Sequence, residues 1–188
     1  MRYWQTEAAL EHITPPGCPE PEGWNVHGWL RDRFGADDLG WAPSVLDFGC
    51  GVGRLASAFT PEQYLGVDVN EHAVRKAQRE HPRHAFLCQP TPVAALPRTR
   101  VALAWTVLLH VGDEDIEATC RELTRAAGQV WVAEILGRRW RRGGNPPVFN
   151  RDLEDYRSLF PGLEVVEEFP CTRYPGSNYT IMATVEAS

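Results

Sequence analysis

Short apolar runs alternate along the chain with stretches in which apolar residues recur at helical spacing. The runs have the length of buried strands. Their alternation with amphipathic helices is typical of a largely parallel sheet that helices cover on both faces. We therefore predict an α/β fold built on seven strands. In chain order, the strands are expected at residues 44–48, 64–67, 85–88, 101–106, 130–135, 163–169 and 179–185.

Capping residues and helix breakers delimit the predicted helices. Asn25, Asp113 and Asn150 each precede an amphipathic stretch and have the short polar side chains that cap helices. Gly128 is expected just past the end of one helix and Pro161 just past the end of another. The apolar faces are expected to be Val26, Trp29, Leu30 and Phe34; Ala73, Val74 and Ala77; Ile116, Cys120, Leu123 and Ala127; and Leu153, Tyr156, Leu159 and Phe160.

Two segments rich in proline or glycine are predicted to be irregular. Residues 14–23 separate a short N-terminal segment from the main fold, and residues 137–147 form a loop after the fifth strand. We expect a single domain over residues 1–188, with residues 1–40 as a cap and residues 41–188 as the core. Loops at the carboxyl ends of parallel strands are where such folds bind ligands.

Composition and charge narrow the possible partners. The 188 residues are 43% hydrophobic and 23% charged, which is ordinary for a globular protein. The net charge of −6 argues against broad binding of nucleic acid. The five cysteines form no C-x-x-C pair, so we expect reduced thiols rather than zinc or disulfides. With neither a signal-peptide layout nor a membrane-length apolar run, we expect a cytoplasmic protein that contacts no membrane, as a monomer or homodimer.

The stretch VLDFGCGVGRL, residues 45–55, is the most informative part of the sequence. Its strand ends in Asp47, three alternating glycines follow, and a helix is then expected to begin. Glycine allows a sharp turn and leaves no Cβ to block a ligand, while the amides of a following helix would point at it. Asp47 lies where a carboxylate can meet a cationic group. Asp68, at the end of the second strand, lies where a carboxylate can accept hydrogen bonds from ribose hydroxyls.

The D-x-G-x-G-x-G turn and the acidic end of the second strand resemble the class I methyltransferases, which use S-adenosylmethionine (SAM). The stretch WTVLLHV, residues 105–111, resembles the fourth-strand motif of the small-molecule branch of that family. The resemblance covers residues 40–185 and implies a Rossmann-like sheet with an antiparallel last strand. A dinucleotide-binding domain is the alternative, but it prefers G-x-G-x-x-G, and here the third glycine comes one residue early.

The resemblance also implies a role for individual residues, with SAM as cofactor, S-adenosylhomocysteine (SAH) as product and no metal. Three glycines would frame the methionine part of SAM, Asp68 would hold the ribose, and Val69 would pack on the adenine. Gln89 would lie near the adenine amino group. The implied cofactor-binding residues are Asp47, Gly49, Cys50, Gly51, Gly53, Arg54, Asp68, Val69, Gln89, Trp105 and Thr106.

Candidate residues on the acceptor side follow the fourth and fifth strands. His110 lies just beyond strand four and could act as general base for an oxygen or nitrogen nucleophile; the alternative is a packed or capping histidine. Arginines flanking Trp140 predict either a lid that recognises an anionic or aromatic acceptor or a solvated loop. An N-terminal aromatic pair is either a cover over the site or a hydrophobic anchor. The acceptor-binding candidates are therefore Tyr3, Trp4, Arg138, Arg139 and Trp140.

We thus predict SN2 transfer of a methyl group from SAM to an oxygen or nitrogen of a small molecule. The N/D-P-P-Y/F motif of amino-methylating enzymes is not matched by WTVL, residues 105–108. Two alternatives remain: a nucleic-acid methyltransferase that uses the loop 138–142, and a SAM-binding protein without transferase activity. Asp113 and Asp115 are assigned to the first turn of a helix, where acids favour the dipole, so no metal is predicted.

Overall fold

A seven-stranded sheet forms the centre of the molecule. The computed structural model describes residues 2–13, 23–35, 43–89, 95–137, 146–171 and 174–185. The strand order is β3-β2-β1-β4-β5-β7-β6, and β7 alone runs antiparallel to its neighbours. This confirms the predicted fold class and the antiparallel last strand. The strands are β1 Val45–Phe48, β2 Tyr64–Asp68, β3 Ala85–Cys88, β4 Thr99–Trp105, β5 Ala127–Leu136, β6 Leu163–Pro170 and β7 Asn178–Thr184.

Helices cover both faces of this sheet. Buried residues of α2 and α3 join one core cluster, and those of α4 and α5 join the other. The predicted apolar spacing explains this packing, because i, i+3 and i+4 residues share one helix face. The α-helices are α1 Leu10–Ile13, α2 Val26–Phe34, α3 Glu71–Glu80, α4 Ile116–Ala126 and α5 Leu153–Leu159; 3-10 turns lie at Arg2–Gln5, Glu7–Ala9, Ala56–Ala58 and Leu108–His110.

Two of the three predicted helix caps are wrong. Asn25 does cap α2, where its side chain accepts a hydrogen bond from the Gly28 N–H. Asp113 lies before the turn that leads into α4, and its carboxylate pairs with Arg151 at 2.6 Å. Asn150 donates to the Gly137 carbonyl. The cap of α5 is Asp152, which forms a reciprocal capping box with Asp155, and this box offers two hydrogen bonds where Asn150 would offer one.

Two helix boundaries also differ from the predictions. Ala127 and Gly128 begin β5 rather than ending α4, because Ala127 pairs with Thr99 of β4. The glycine turn leads into a 3-10 turn, Ala56–Ala58, and not into an α-helix. Pro61 disfavours helical conformation at the residue before it, and β2 begins soon afterwards.

Candidate active site

The carboxyl ends of β1 and β2 are joined by the glycine turn. Gly49, Gly51 and Gly53 have φ angles of 72°, 55° and 83°, a region that is costly for residues with a Cβ. The amides of Gly49 and Cys50 both donate to the Val67 carbonyl, which ties the turn to β2. The turn therefore has the backbone that the sequence motif requires.

Asp68 locks this turn from the end of β2. Its carboxylate oxygens accept hydrogen bonds from the Gly51 N–H and the Asn70 N–H, both at 2.8 Å. Burial raises the pKa of Asp68, against the lowering effect of these two amides. The side chain thus lies at the mouth of the glycine turn, where the sequence placed a ribose ligand.

Asp47 lies beneath the turn and is almost fully buried. The Tyr64 hydroxyl donates to its carboxylate at 2.6 Å. Burial raises the pKa of Asp47 to about 6, although this hydrogen bond and the nearby charge of Arg54 lower it. Arg54 follows the turn, and its backbone carbonyl accepts a hydrogen bond from His27 of α2. The sequence analysis did not predict Tyr64 as a site residue. A hydroxyl group on a strand predicted to be buried was the feature that could have indicated it.

Gln89, the residue after β3, has a side-chain oxygen that accepts no hydrogen bond from the described residues. Its Oε1 is buried and has no hydrogen-bond partner among the described residues, while its Nε2 donates to the Ala95 carbonyl at 3.4 Å. Val69 is half-buried next to Asp68. Because a buried polar oxygen is normally paired, this orphan acceptor fits an amino group such as that of adenine.

The end of β4 is strained. Thr106 has φ 57° and is the only non-glycine with positive φ among residues whose backbone is described. A β-branched residue is rare in this conformation, which costs about 1–3 kcal/mol and clusters at functional sites. Its N–H donates to the Ala133 carbonyl of β5 at 2.7 Å. The neighbouring Trp105 is buried, and its indole N–H has no partner within the described part of the chain.

His110 ends the 3-10 turn Leu108–His110, which we call the strand-four turn. Its Nδ1 lies 2.8 Å from the Pro147 carbonyl. Because a carbonyl can only accept, Nδ1 carries the proton, and in the neutral ring Nε2 holds the lone pair. The imidazole therefore has the tautomer that a general base needs at Nε2.

A buried carboxyl group and a buried guanidinium hold the strand-four turn in place. Glu134 of β5 is fully buried, and its Oε1 accepts from the amides of Leu108 and Leu109 at 2.7 and 3.3 Å. Arg151 donates to the carbonyls of Leu108 and Val111, both at 3.0 Å. Burial raises the pKa of Glu134 to about 8. Neither residue was predicted, although a lone glutamate in an apolar strand was a usable signal.

The N-terminal segment lies across this edge of the sheet. The Trp4 ring packs against the His110 ring with centroids 4.2 Å apart. The Tyr3 hydroxyl and His12 Nδ1 are 2.7 Å apart. A Cβ added to Gly51 would overlap a methyl group of Ile13. Trp4 is thus placed next to His110, whereas Tyr3 contacts the segment itself.

Arg138, Arg139 and Trp140 fall outside the described residues. Within the described ranges, no cluster of three or more His, Cys, Asp or Glu side chains is arranged to hold a metal ion. In the same ranges no helix is long and apolar enough to cross a membrane.

Comparison with known proteins supports the resemblance. Residues 45–128, a little under half of the chain, match the model of a family described as a methyltransferase domain. The matched segment contains the glycine turn and Asp68, and the match confirms the resemblance that these residues carry.

Solved structures share the fold of this chain at low sequence identity. The SAM-bound magnesium protoporphyrin IX methyltransferase of Synechocystis PCC 6803 is 19% identical, with a TM-score of 0.67 over 98% of this chain and 94% of that one. The cyclase SpnF is 20% identical, with a TM-score of 0.61 over 92% and 75%. The mitomycin 7-O-methyltransferase MmcR is 18% identical, with a TM-score of 0.57 over 85% and 54%. No curated protein matches the chain.

Proposed function

We propose that this protein is a methyltransferase that transfers the methyl group of SAM to an oxygen or nitrogen of a small-molecule acceptor. One observation carries the proposal: the glycine turn with Asp68 and the oriented His110 lie at the same edge of the sheet, bridged by the N-terminal segment. The first part suits a nucleoside cofactor, and the second suits an acceptor that must lose a proton. The Synechocystis enzyme and MmcR, both named for small-molecule acceptors, support the acceptor class.

The proposed binding of SAM follows from the chemistry of the groups around the glycine turn. Asp68 would accept hydrogen bonds from the ribose hydroxyls, and Gln89 Oε1 would accept one from the adenine amino group. The glycine backbone would face the methionine part without a Cβ between them, and at Gly51 a methyl group of Ile13 covers that face. Asp47 would supply negative charge below the turn. Bound SAM supplies a methyl group on a sulfonium, which is a good leaving group.

On the acceptor side, His110 would take the proton from the attacking oxygen or nitrogen at Nε2. The bond from Nδ1 to Pro147 holds the ring in place, and Glu134 and Arg151 fix the turn that carries it. The Trp4 ring would exclude water from one side of the imidazole. Arg138, Arg139 and Trp140 stay predicted as acceptor-binding residues.

A chain with this fold need not transfer a methyl group, since the cyclase SpnF shares it. A SAM-binding protein without transferase activity is therefore the second candidate. A nucleic-acid methyltransferase acting through residues 138–142 is less compatible with the net charge of −6.

Incubation with methyl-tritiated SAM and separated small-molecule, nucleic-acid and protein fractions of a cell extract distinguishes the three candidate functions. We expect label in the small-molecule fraction only; label in nucleic acid would contradict the acceptor class, and none in any fraction would favour the second candidate.

His110→Gln tests the role of the histidine in the same assay. Glutamine cannot act as a general base, so we expect label transfer to fall about 100-fold or more while the affinity for SAM is unchanged. The reason is that general-base catalysis lowers the barrier for the nucleophile and not for cofactor binding. Transfer at the wild-type rate would leave His110 as a packing residue.

Asp47 gives the site a pH dependence with a defined sign. Its pKa is about 6 in the folded protein against 3.8 for an unburied aspartate, so the folded state binds the proton more tightly. The free energy of unfolding therefore falls as pH rises from about 4 to about 6. The affinity for the positively charged SAM should change in the opposite direction and fall as pH drops below about 6.

Asp47→Asn should weaken this pH dependence and stabilise the fold near pH 7, because it removes a buried charge. Calorimetric titration with SAM at pH 5 and pH 7.5 measures the change. Asp32→Asn, the same substitution on an exposed residue of α2, is the control. If SAM affinity in Asp47→Asn depends on pH as it does in the wild type, the charge of Asp47 does not contribute to SAM binding.

A further inference from the structure

Asn70 joins the cofactor-binding aspartate to the N-terminal segment. It follows Asp68 by two residues, is fully buried, and caps α3 by accepting from the Ala73 N–H at 3.0 Å. Its own N–H donates to Asp68. The side-chain oxygen and the backbone N–H of Asn70 thus form hydrogen bonds within the β2–α3 connection. The side-chain amino group is left to bond other parts of the chain.

That amino group holds the N-terminal segment, residues 2–13, which we call the strap. Asn70 Nδ2 donates to the Trp4 carbonyl at 2.8 Å and to the Thr6 carbonyl at 2.9 Å. Both bonds reach the backbone of the strap. They therefore hold its path whatever its side chains do.

The two ends of the strap lie on the two halves of the site. Near its start, the Trp4 ring packs on His110, and at its end Ile13 contacts Gly51 of the glycine turn. The Asn70 bonds fall at Trp4 and Thr6, between the end of β2 and the strand-four turn. The buried indole N–H of Trp4 has no partner among the described residues, so it adds no hydrogen bond that would hold the strap in place of Asn70.

We propose that Asn70 is a positioning residue that anchors the strap over the active site and thereby slows release of the bound nucleoside. The proposal rests on the proposed function, since it assigns the strap to a cofactor-bound site. Asn70 touches neither reacting atom; it acts through the backbone of the strap.

The same substitution can be made at two helix caps, the fully buried Asn70 and the exposed Asn25. Asn70→Asp keeps the capping oxygen and the shape of the side chain, and aspartate caps helices as well as asparagine does. It replaces the donor with an oxygen that faces two carbonyls, so both strap bonds are lost. Asn25→Asp makes the same change at the cap of α2, whose carboxamide is not among the groups holding the strap in the described part of the chain. Asn70→Ser, which keeps a capping oxygen but loses the carboxamide amino group that bonds the strap, serves if Asn70→Asp fails to fold.

Two measurements test the proposal on the full chain. In Asn70→Asp, amide hydrogen exchange of residues 2–13 should rise about tenfold, since two hydrogen bonds are lost, and the dissociation rate of SAH should rise about threefold or more. Asn25→Asp should match the wild type in both. Unchanged exchange in the strap would overturn the anchoring role, and faster exchange with unchanged SAH dissociation would overturn the covering role. If the wild type binds no SAH, the proposed function fails, while the exchange comparison still decides whether Asn70 anchors the strap.

Discussion

Replacing Asp68 with alanine should lower the affinity for SAM by at least about tenfold while the protein stays folded. The carboxylate is placed to accept hydrogen bonds from the ribose, and such charge-assisted bonds contribute about 1.5–3 kcal/mol each. The substitution also frees the Gly51 N–H, which Asp68 now holds at 2.8 Å, so the glycine turn loses one of its hydrogen bonds to β2. Calorimetric titration with SAM measures the loss.

Asp68→Asn separates charge from shape. Its amide keeps one acceptor oxygen but places a donor against either the Gly51 or the Asn70 N–H, so we expect an affinity between those of the wild type and Asp68→Ala. Circular dichroism verifies that each variant is folded. A folded Asp68→Ala variant with wild-type affinity would remove Asp68 from the cofactor site.

Gly49→Ala should lower the free energy of unfolding by about 2–5 kcal/mol. A left-handed backbone costs a residue with a Cβ about 1–2 kcal/mol, and overpacking adds about 1–3 kcal/mol. Both costs apply here, because Gly49 has φ 72° and an added Cβ would overlap the Val107 side chain. Denaturant unfolding measures the change, and SAM binding should be lost with it because the turn is displaced.

Val107→Ala identifies the steric part of this effect. Alone it should destabilise the protein by removing packing, yet in the Gly49→Ala background it should recover part of the stability, because it removes the methyl group nearest to the new Cβ. The Cβ of residue 107 still lies 2.7 Å from the new Cβ, so the recovery should be incomplete. The conformational cost of positive φ should remain in the double variant. Simple additivity of the two single changes would show that Val107 and Gly49 are not in contact.

The glycine turn and the first strands could be predicted because their information is local. A buried strand, an acidic end and alternating glycines specify a turn whose glycines require positive φ, and the structure has it at Gly49, Gly51 and Gly53. The helix after the turn could not be predicted correctly from the same motif. Pro61 and the short distance to β2 limit the chain to a 3-10 turn.

The supports of the site depend on contacts between distant parts of the chain. Glu134 of β5 accepts a hydrogen bond from the strand-four turn. Asn70 bonds residues of the N-terminal segment that are 64 and 66 positions away in the sequence. Asp113 was mistaken for a cap because its partner, Arg151, follows much later in the sequence. A sequence motif identifies the residue type at such positions but not the partner.

Binding of the nucleoside tests the central claim most directly. In calorimetric titrations of the full chain, SAM and SAH should each bind at one site per molecule, each should displace the other, and NAD should not bind. Displacement is expected because the same turn and the same carboxylate would hold both nucleosides. Tight binding of NAD without binding of SAM would contradict the account.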